Sequence, residues 1–218
     1  MKNKIEIDIS KINQIDLTKI FNQVDTGGRW VDGWSQFVNA KAGQKYYKLL
    51  AYLSTFFESN QILIDLGTLT GASSLALSYN KNIKVYSFDL PKQTFHNGVP
   101  GTDMFVYESE DQKLAKNNAP NIEYIIGDCL KYPELLLNSS LIFIDIDHSG
   151  IVEKQILDFL RKNNWNGLAL LDDIHWGTML PIWNEVPEPK WNLSFCGNGA
   201  DGTGLINFGN KYEVIINQ

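Results

Sequence analysis

Short, mostly apolar runs punctuate this chain, and each ends in an acid or a glycine. Ile62 to Ile64, Lys84 to Phe88, Ile122 to Ile126, Leu141 to Ile144 and Leu168 to Leu171 are such runs. Their near-continuous hydrophobicity is what a parallel strand covered on both faces requires. Between them the spacing becomes helical. Ala40 to Glu58 sets Tyr46, Leu49, Leu50, Leu53, Phe56 and Phe57 on one face, and helices are also predicted over Ala72 to Ser78 and Ile151 to Lys162. Strand, helix, strand in succession implies parallel pairing through right-handed crossovers.

The two ends are less regular. Ile12, Ile15, Leu17, Ile20 and Phe21 predict a weaker helix over residues 11 to 24, stopped by Thr26-Gly27-Gly28. The loop Arg29 to Trp34 follows, and its two tryptophans suit either a lid or a plain hydrophobic anchor. Residues 91 to 108, with Gly98, Pro100 and Gly101 around His96, predict a loop over the strand ends. Residues 177 to 191, rich in proline and tryptophan, predict a substrate-side insert. The tail offers strands at Leu193 to Cys196, Leu205 to Phe208 and Tyr212 to Ile216, the first two separated by Gly197, Gly199, Gly202 and Gly204 as in a reversed hairpin. The expected architecture is therefore α/β: an N-terminal helical extension or lid over residues 1–39, then one domain over 40–218.

Composition narrows the function. At 218 residues with 44% hydrophobic positions, the chain supports one substantial core. A net charge of -6 sets up no field for nucleic acid or an anionic membrane, so neither partner is expected. Cys129 and Cys196 are too few for a disulfide framework, which fits a reducing cytoplasm. The alternating start Met1 to Asp8 lacks the apolar block of a signal peptide. A homodimer is compatible with all of this.

Chemistry concentrates where strands end. Asp65-Leu66-Gly67-Thr68-Leu69-Thr70-Gly71 carries the first strand through a glycine turn into a helix, leaving room for a ligand against main-chain N–H groups. The spacing lacks the third glycine of a dinucleotide site, which disfavours a nucleotide-dependent oxidoreductase, and an acid before the turn suits a cationic amino-acid moiety. Asp89, roughly twenty residues further on, suits a ribose diol; the alternative is that it caps the segment beside Pro91. Asp145, Asp172 and Asp173 end neighbouring strands, whose spacing of about 5 Å lets them share one gap. A hard divalent cation, Mg²⁺ first, would relieve their repulsion; otherwise one acid is protonated, one caps a helix and one is solvated. His148 is placed as a base toward a metal-bound hydroxyl, with His175 in reserve.

Ile64 to Gly71, Tyr86 to Asp89, Ile126 to Asp128, Phe143 to Ser149 and Leu170 to Ile174, in this order, resemble the class I S-adenosylmethionine (SAM)-dependent methyltransferases. More narrowly they resemble small O-methyltransferases with an Asp-x-Asp-His-Ser turn before an Asp-Asp pair. The resemblance implies a Rossmann-like fold with a seven-stranded, mostly parallel sheet closed by an antiparallel hairpin, with helices on both faces. It implies SAM contacts at Asp65, Gly67, Thr68, Gly71, Ser73, Asp89, Asp128, Cys129 and Asp145, with Asp128 toward the adenine amino group. It implies metal ligands at Asp145, Asp172 and Asp173, and a catalytic pair of Asp145 and His148. Cation-dependent catechol and caffeoyl-coenzyme A enzymes have lysine at His148 and asparagine at Asp173, and the chain departs from them at both. The branch favours a glycan hydroxyl as acceptor, such as one on rhamnose; Trp30, Trp34, Trp176 and Trp183 offer flat faces for a sugar. A metal-independent or catechol- or phenol-type O-methyltransferase, and a SAM-binding module without turnover, are the rivals.

Overall fold

The computed structural model describes residues 2–20, 41–68, 71–90, 119–197 and 199–217. The loops at 29–34 and 91–108, with Trp30, Trp34 and His96, lie outside the described residues. Seven strands form one sheet: β2 (Ile62–Leu66), β3 (Lys84–Asp89), β4 (Ile122–Ile126), β5 (Ser139–Ile144), β6 (Leu168–Asp172), β7 (Lys190–Asn192) and β8 (Thr203–Asn207). Their order is β4-β3-β2-β5-β6-β8-β7, parallel from β4 to β6 and antiparallel at β6–β8 and β8–β7. Strand order reverses between β2 and β5, so a crevice opens at their carboxyl ends.

The continuous apolar runs conceal a two-residue alternation that the packing reveals. Leu63, Leu141, Phe143, Leu168 and Leu170 enter one core with α2 (Lys41–Ser54) and α3 (Ala72–Leu77). Ile64, Leu66, Ile142, Ile144, Ala169 and Leu171 enter a second. That second core holds residues of α4 (Pro133–Asn138), α5 (Ile151–Lys162) and α6 (Met179–Glu185). Both faces are dry, which explains why periodicity alone showed no polar side. Each fully buried leucine or isoleucine contributes about 1.5–3 kcal/mol, so the two layers fix the strand register firmly.

Three expectations need correction. The chain opens with a strand, β1 (Asn3–Asp8), and the helix expected over 11 to 24 is, up to residue 20, a short α1 (Ile9–Asn13) followed by a 3-10 turn at Leu17–Lys19; its last four positions lie outside the described residues. Strand β1 pairs in parallel with β9 (Tyr212–Asn217) in a separate two-stranded sheet, so the last tail strand leaves the main sheet. Its inward residues Ile5 and Ile7 are fully buried in the α2-side core, and Tyr52 of α2 donates a hydrogen bond to Glu6 O at 2.8 Å. Finally, the hairpin strand before the glycines is Lys190–Asn192. Leu193 to Cys196 instead forms a turn in which Cys196 N and Gly197 N both donate to Leu193 O at 2.9 Å.

Candidate active site

Strand parity decides what the acids meet. Asp65 lies opposite Ser87 on β3 and Phe143 on β5, and Asp172 shares the parity of Leu168 and Leu170. Asp65, Asp172 and, two positions past Phe143, Asp145 therefore turn toward the face covered by α2. Tyr46 of α2 stands against Phe143 edge-on, and its hydroxyl lies 3.5 Å from Asp145 Oδ2. Burial, with the charges of Asp172 and Asp145, pushes the Tyr46 phenol well above its ordinary value, so it stays protonated and keeps a hydrogen to donate to the carboxylate.

The glycine turn works differently from the sequence expectation. Gly67 has φ +101°, and a Cβ there would sit 1.7 Å from the carbonyl oxygen of Asp145. Glycine is required because the backbone of the β5 end passes against it. The N–H groups of Gly67 and Thr68 both donate to Phe88 O, at 3.0 and 3.2 Å, and Gly71 N donates to Thr68 O at 2.7 Å. These donors are thus spent within the fold. Asp65 is fully buried, accepts from Ser87 Oγ at 2.6 Å, and Thr68 Oγ1 lies 2.6 Å from the same hydroxyl. Burial pushes its carboxyl up to about 7, against the pull of the Ser87 and Ser73 hydroxyls.

Beside this turn opens a cleft. Four of the residues predicted to hold the methyl donor line it: Gly67, Asp89, Asp128 and Cys129. Asp65, Thr68, Gly71, Ser73 and Asp145 lie outside its lining. Leu66, Phe88, Leu90, Val152 and Ile156 give it apolar walls, with Ile146 and Asp147 at the β5 end. Asp89 is 8% exposed at the tip of β3, and its Oδ1 accepts from Leu90 N at 2.9 Å. Asp128 caps the 3-10 turn Cys129–Lys131 by accepting from Leu130 N at 2.9 Å, which fixes its carboxylate at the cleft. Burial, then the Asp128 charge, pushes the Cys129 thiol up to about 12, so it serves as an apolar surface and not as a nucleophile.

Next to the cleft, Asp145, His148 and Asp172 bring one ligand atom each within 4.8 Å of one another. Asp173, expected as a metal ligand, is outside that group; its Oδ2 lies 3.2 Å from His148 Nε2, whose distance to Asp145 Oδ1 is 3.0 Å. Both contacts are within hydrogen-bond distance but poorly aligned with the ring N–H. Asp145 first, then the charges of Asp173 and Asp172, raise His148 to about 9 against its burial. Asp172 is 7% exposed with Oδ1 unpartnered, and burial plus the neighbouring acids push it up to about 8. A buried carboxylate oxygen without a donor, facing like charges, fits a site for a divalent cation.

The turn carrying this cluster is held from several sides. Asp147 Oδ1 accepts from Ser149 N and Ser149 Oγ, at 3.1 and 2.8 Å. His148 and Asp173 both take left-handed backbone, with φ 54° and 55°. Tyr46, Glu153 and Thr178 touch this region and escaped the sequence reading; the tyrosine resembled one more apolar helix position, and nothing marked the other two. His175 instead faces Asn192 of β7, Nε2 to Nδ2 at 3.0 Å, on the exposed side of the hairpin. Trp183 is no sugar platform: it is 8% exposed and its ring fills the space above Gly204. Trp176, three positions past Asp173, is 52% exposed.

No family model matches the sequence, and no curated protein matches it. Solved structures do. The fold is similar to that of a candidate caffeoyl-CoA O-methyltransferase from Staphylococcus aureus, with TM-score 0.54 and 16% identity over 93% of this chain and 100% of that one. It is similar to an O-methyltransferase from Bacillus cereus in complex with SAH, with TM-score 0.53 and 13% identity over 92% and 95%. It also resembles cofactor-bound Rv0187 from MTB, with TM-score 0.50 and 17% identity over 81% and 83%. At these identities the likeness concerns architecture: the chain has the Rossmann-like fold of the class I SAM-dependent methyltransferases, as its motifs imply. Among the described residues no helix is long and apolar enough to cross a membrane.

Proposed function

We propose that the protein is a SAM-dependent O-methyltransferase that methylates a hydroxyl of a sugar or glycan with the help of a divalent cation, Mg²⁺ first. The observation that carries this reading is the group Asp145, His148 and Asp172, gathered within 4.8 Å, of which Asp145 and His148 flank the cleft residues Ile146 and Asp147 in the chain. SAM, when bound, supplies a sulfonium methyl open to in-line attack, and a cation held by Asp145 and Asp172 makes an acceptor hydroxyl more acidic. Two carboxylates suffice for Mg²⁺, which keeps several waters.

The residues of the chain do the rest. Asp89 and Asp128 present acceptors to the ribose and adenine of the donor, and Phe88, Val152 and Ile156 keep water from the cleft. An imidazole nitrogen that ligates a metal cannot also take a proton; a cation left to the two carboxylates would offset the charges that raise His148 to about 9, and would so free its Nε2 to accept the hydroxyl proton. Asp173, 3.2 Å away, orients the ring and balances the resulting charge. The exposed Trp176 beside the acid pair supports a sugar acceptor, since its flat face is free to stack on the apolar side of a pyranose.

One observation favours a second reading. With Nε2 already between Asp145 and Asp173, a protonated His148 balances the cluster by itself, and the same fold would then act without metal on a phenol or other small acceptor. Transfer of labelled methyl from SAM to sugars, glycans and catechols, each with Mg²⁺ and with chelator, separates the two. Product on a sugar with Mg²⁺ and none in chelator supports the proposal. Equal product in chelator supports the metal-independent reading, and SAM binding with no product in any lane supports a module without turnover.

A further inference from the structure

We infer that Glu153 and Thr178 are positioning residues that clasp the peptide of His148 from opposite sides and so hold its imidazole against Asp145 and Asp173. The inference rests on the reading of His148 as the proton acceptor. Glu153, in the first turn of α5, is fully buried, and its Oε1 accepts from His148 N at 2.8 Å. Thr178, just ahead of α6, donates its hydroxyl to His148 O. Both polar groups of one residue are therefore gripped by side chains from the two elements that follow the two acid-bearing strands.

The grip answers a specific need. His148 sits at φ 54°, a conformation that L-residues other than glycine avoid at a cost of roughly 1–3 kcal/mol and keep only where the surroundings enforce it. In that conformation Nε2 reaches Asp145 at 3.0 Å and Asp173 at 3.2 Å. Released to the extended or right-handed regions, the residue would aim its ring elsewhere. The clasp also sets the gap between the loops, since a Cβ on Gly150 would lie 2.7 Å from Thr178 O.

Plain helix capping does not account for Glu153. The first N–H of α5, on Ile151, already has Ser149 Oγ at 3.1 Å, and Glu153 reaches past it to His148. Its Oε2 is buried with no partner, a cost that a glutamate placed merely to cap would escape at the surface.

Four variants test this in the full chain: Glu153→Ala, Glu153→Gln, Thr178→Val and Thr178→Ser. With only three histidines, selective ¹³C,¹⁵N-histidine labelling resolves His148. Its Cα and Cβ shifts then report the left-handed backbone directly. The expected result is loss of that signature in Glu153→Ala and Thr178→Val, with the Kd for SAM by calorimetry unchanged within twofold and kcat at least tenfold lower at unchanged KM for SAM. Glutamine keeps the acceptor oxygen and serine keeps the donor, so both restore the signature and most of kcat. An unchanged His148 signature in both Glu153→Ala and Thr178→Val overturns the inference, as does a joint collapse of SAM affinity and thermal stability in all four variants. If no acceptor is ever turned over, the proposed reaction fails while the histidine shifts still decide the clasp.

Discussion

Replacing Asp172 by asparagine should make the cation-free protein more stable while removing the cation site. Asp172 is 7% exposed, its Oδ1 has no partner, and burial with Asp145 and Asp173 pushes its carboxyl from 3.8 up to about 8. At pH 7 the folded protein therefore carries a proton that the unfolded chain has released. At about 1.4 kcal/mol per pH unit that costs at most about 4 kcal/mol, and screening by water at the rim reduces it to about 2. For a chain of this size, 2 kcal/mol corresponds to a rise in Tm of about 4–8 °C. The sign follows from linkage. With its folded pKa raised, Asp172 costs nothing below pH 3.8, and its penalty grows as pH rises toward 8. Calorimetric melts in chelator at pH 4, 7 and 8.5 should show Asp172→Asn level with wild type at pH 4 and increasingly ahead above it. Added Mg²⁺ should raise the wild-type Tm and leave the variant where it was. A variant destabilised by the same amount at every pH would refute the electrostatic account of the cluster.

Other consequences can be checked separately. Gly67→Ala, which puts a methyl group 1.7 Å from Asp145 O at a positive φ, should cost more than about 3 kcal/mol or abolish SAM binding, as read by melting and calorimetry. Asp145→Asn should drop the His148 pKa from about 9 toward its ordinary 6.5 in an NMR titration. The wild-type His148 contribution to stability is whole below pH 6.5 and fades as pH rises through 9, so the two proteins should converge at alkaline pH. Lys190→Met should lose about 1 kcal/mol in a denaturant melt, because Lys190 Nζ caps the end of α6 through Trp183 O, Asn184 O and Val186 O.

Local features of the sequence foretold much of the sheet, and distant ones did not. Ile62 to Ile64 and Leu168 to Leu171 read as buried strands because every position in them is apolar, and the helix Ile151 to Lys162 stands where its spacing put it. The alternation in Met1 to Asp8 was a strand signal, but its partner, Tyr212–Asn217, lies at the other end of the chain, and no local pattern announces such a pairing. Leu193 to Cys196 mimics a strand by composition; the true strand, Lys190–Asn192, is only three residues long and owes its register to β8. At the site, the acids were visible as strand-end residues, and their common face follows from parity. Two contacts across loops, of Asp173 with the imidazole and of Gly67 with the carbonyl of Asp145, had no local signal in the sequence.

The central claim is a cation site of Asp145 and Asp172 beside a donor cleft of Asp89 and Asp128. Crystals grown with S-adenosylhomocysteine and Mn²⁺ test it directly through the anomalous signal of manganese. A manganese peak is expected between the Asp145 and Asp172 carboxylates, with the nucleoside over Asp89 and Asp128. Manganese absent from that gap, or a nucleoside bound away from the cleft, would contradict it.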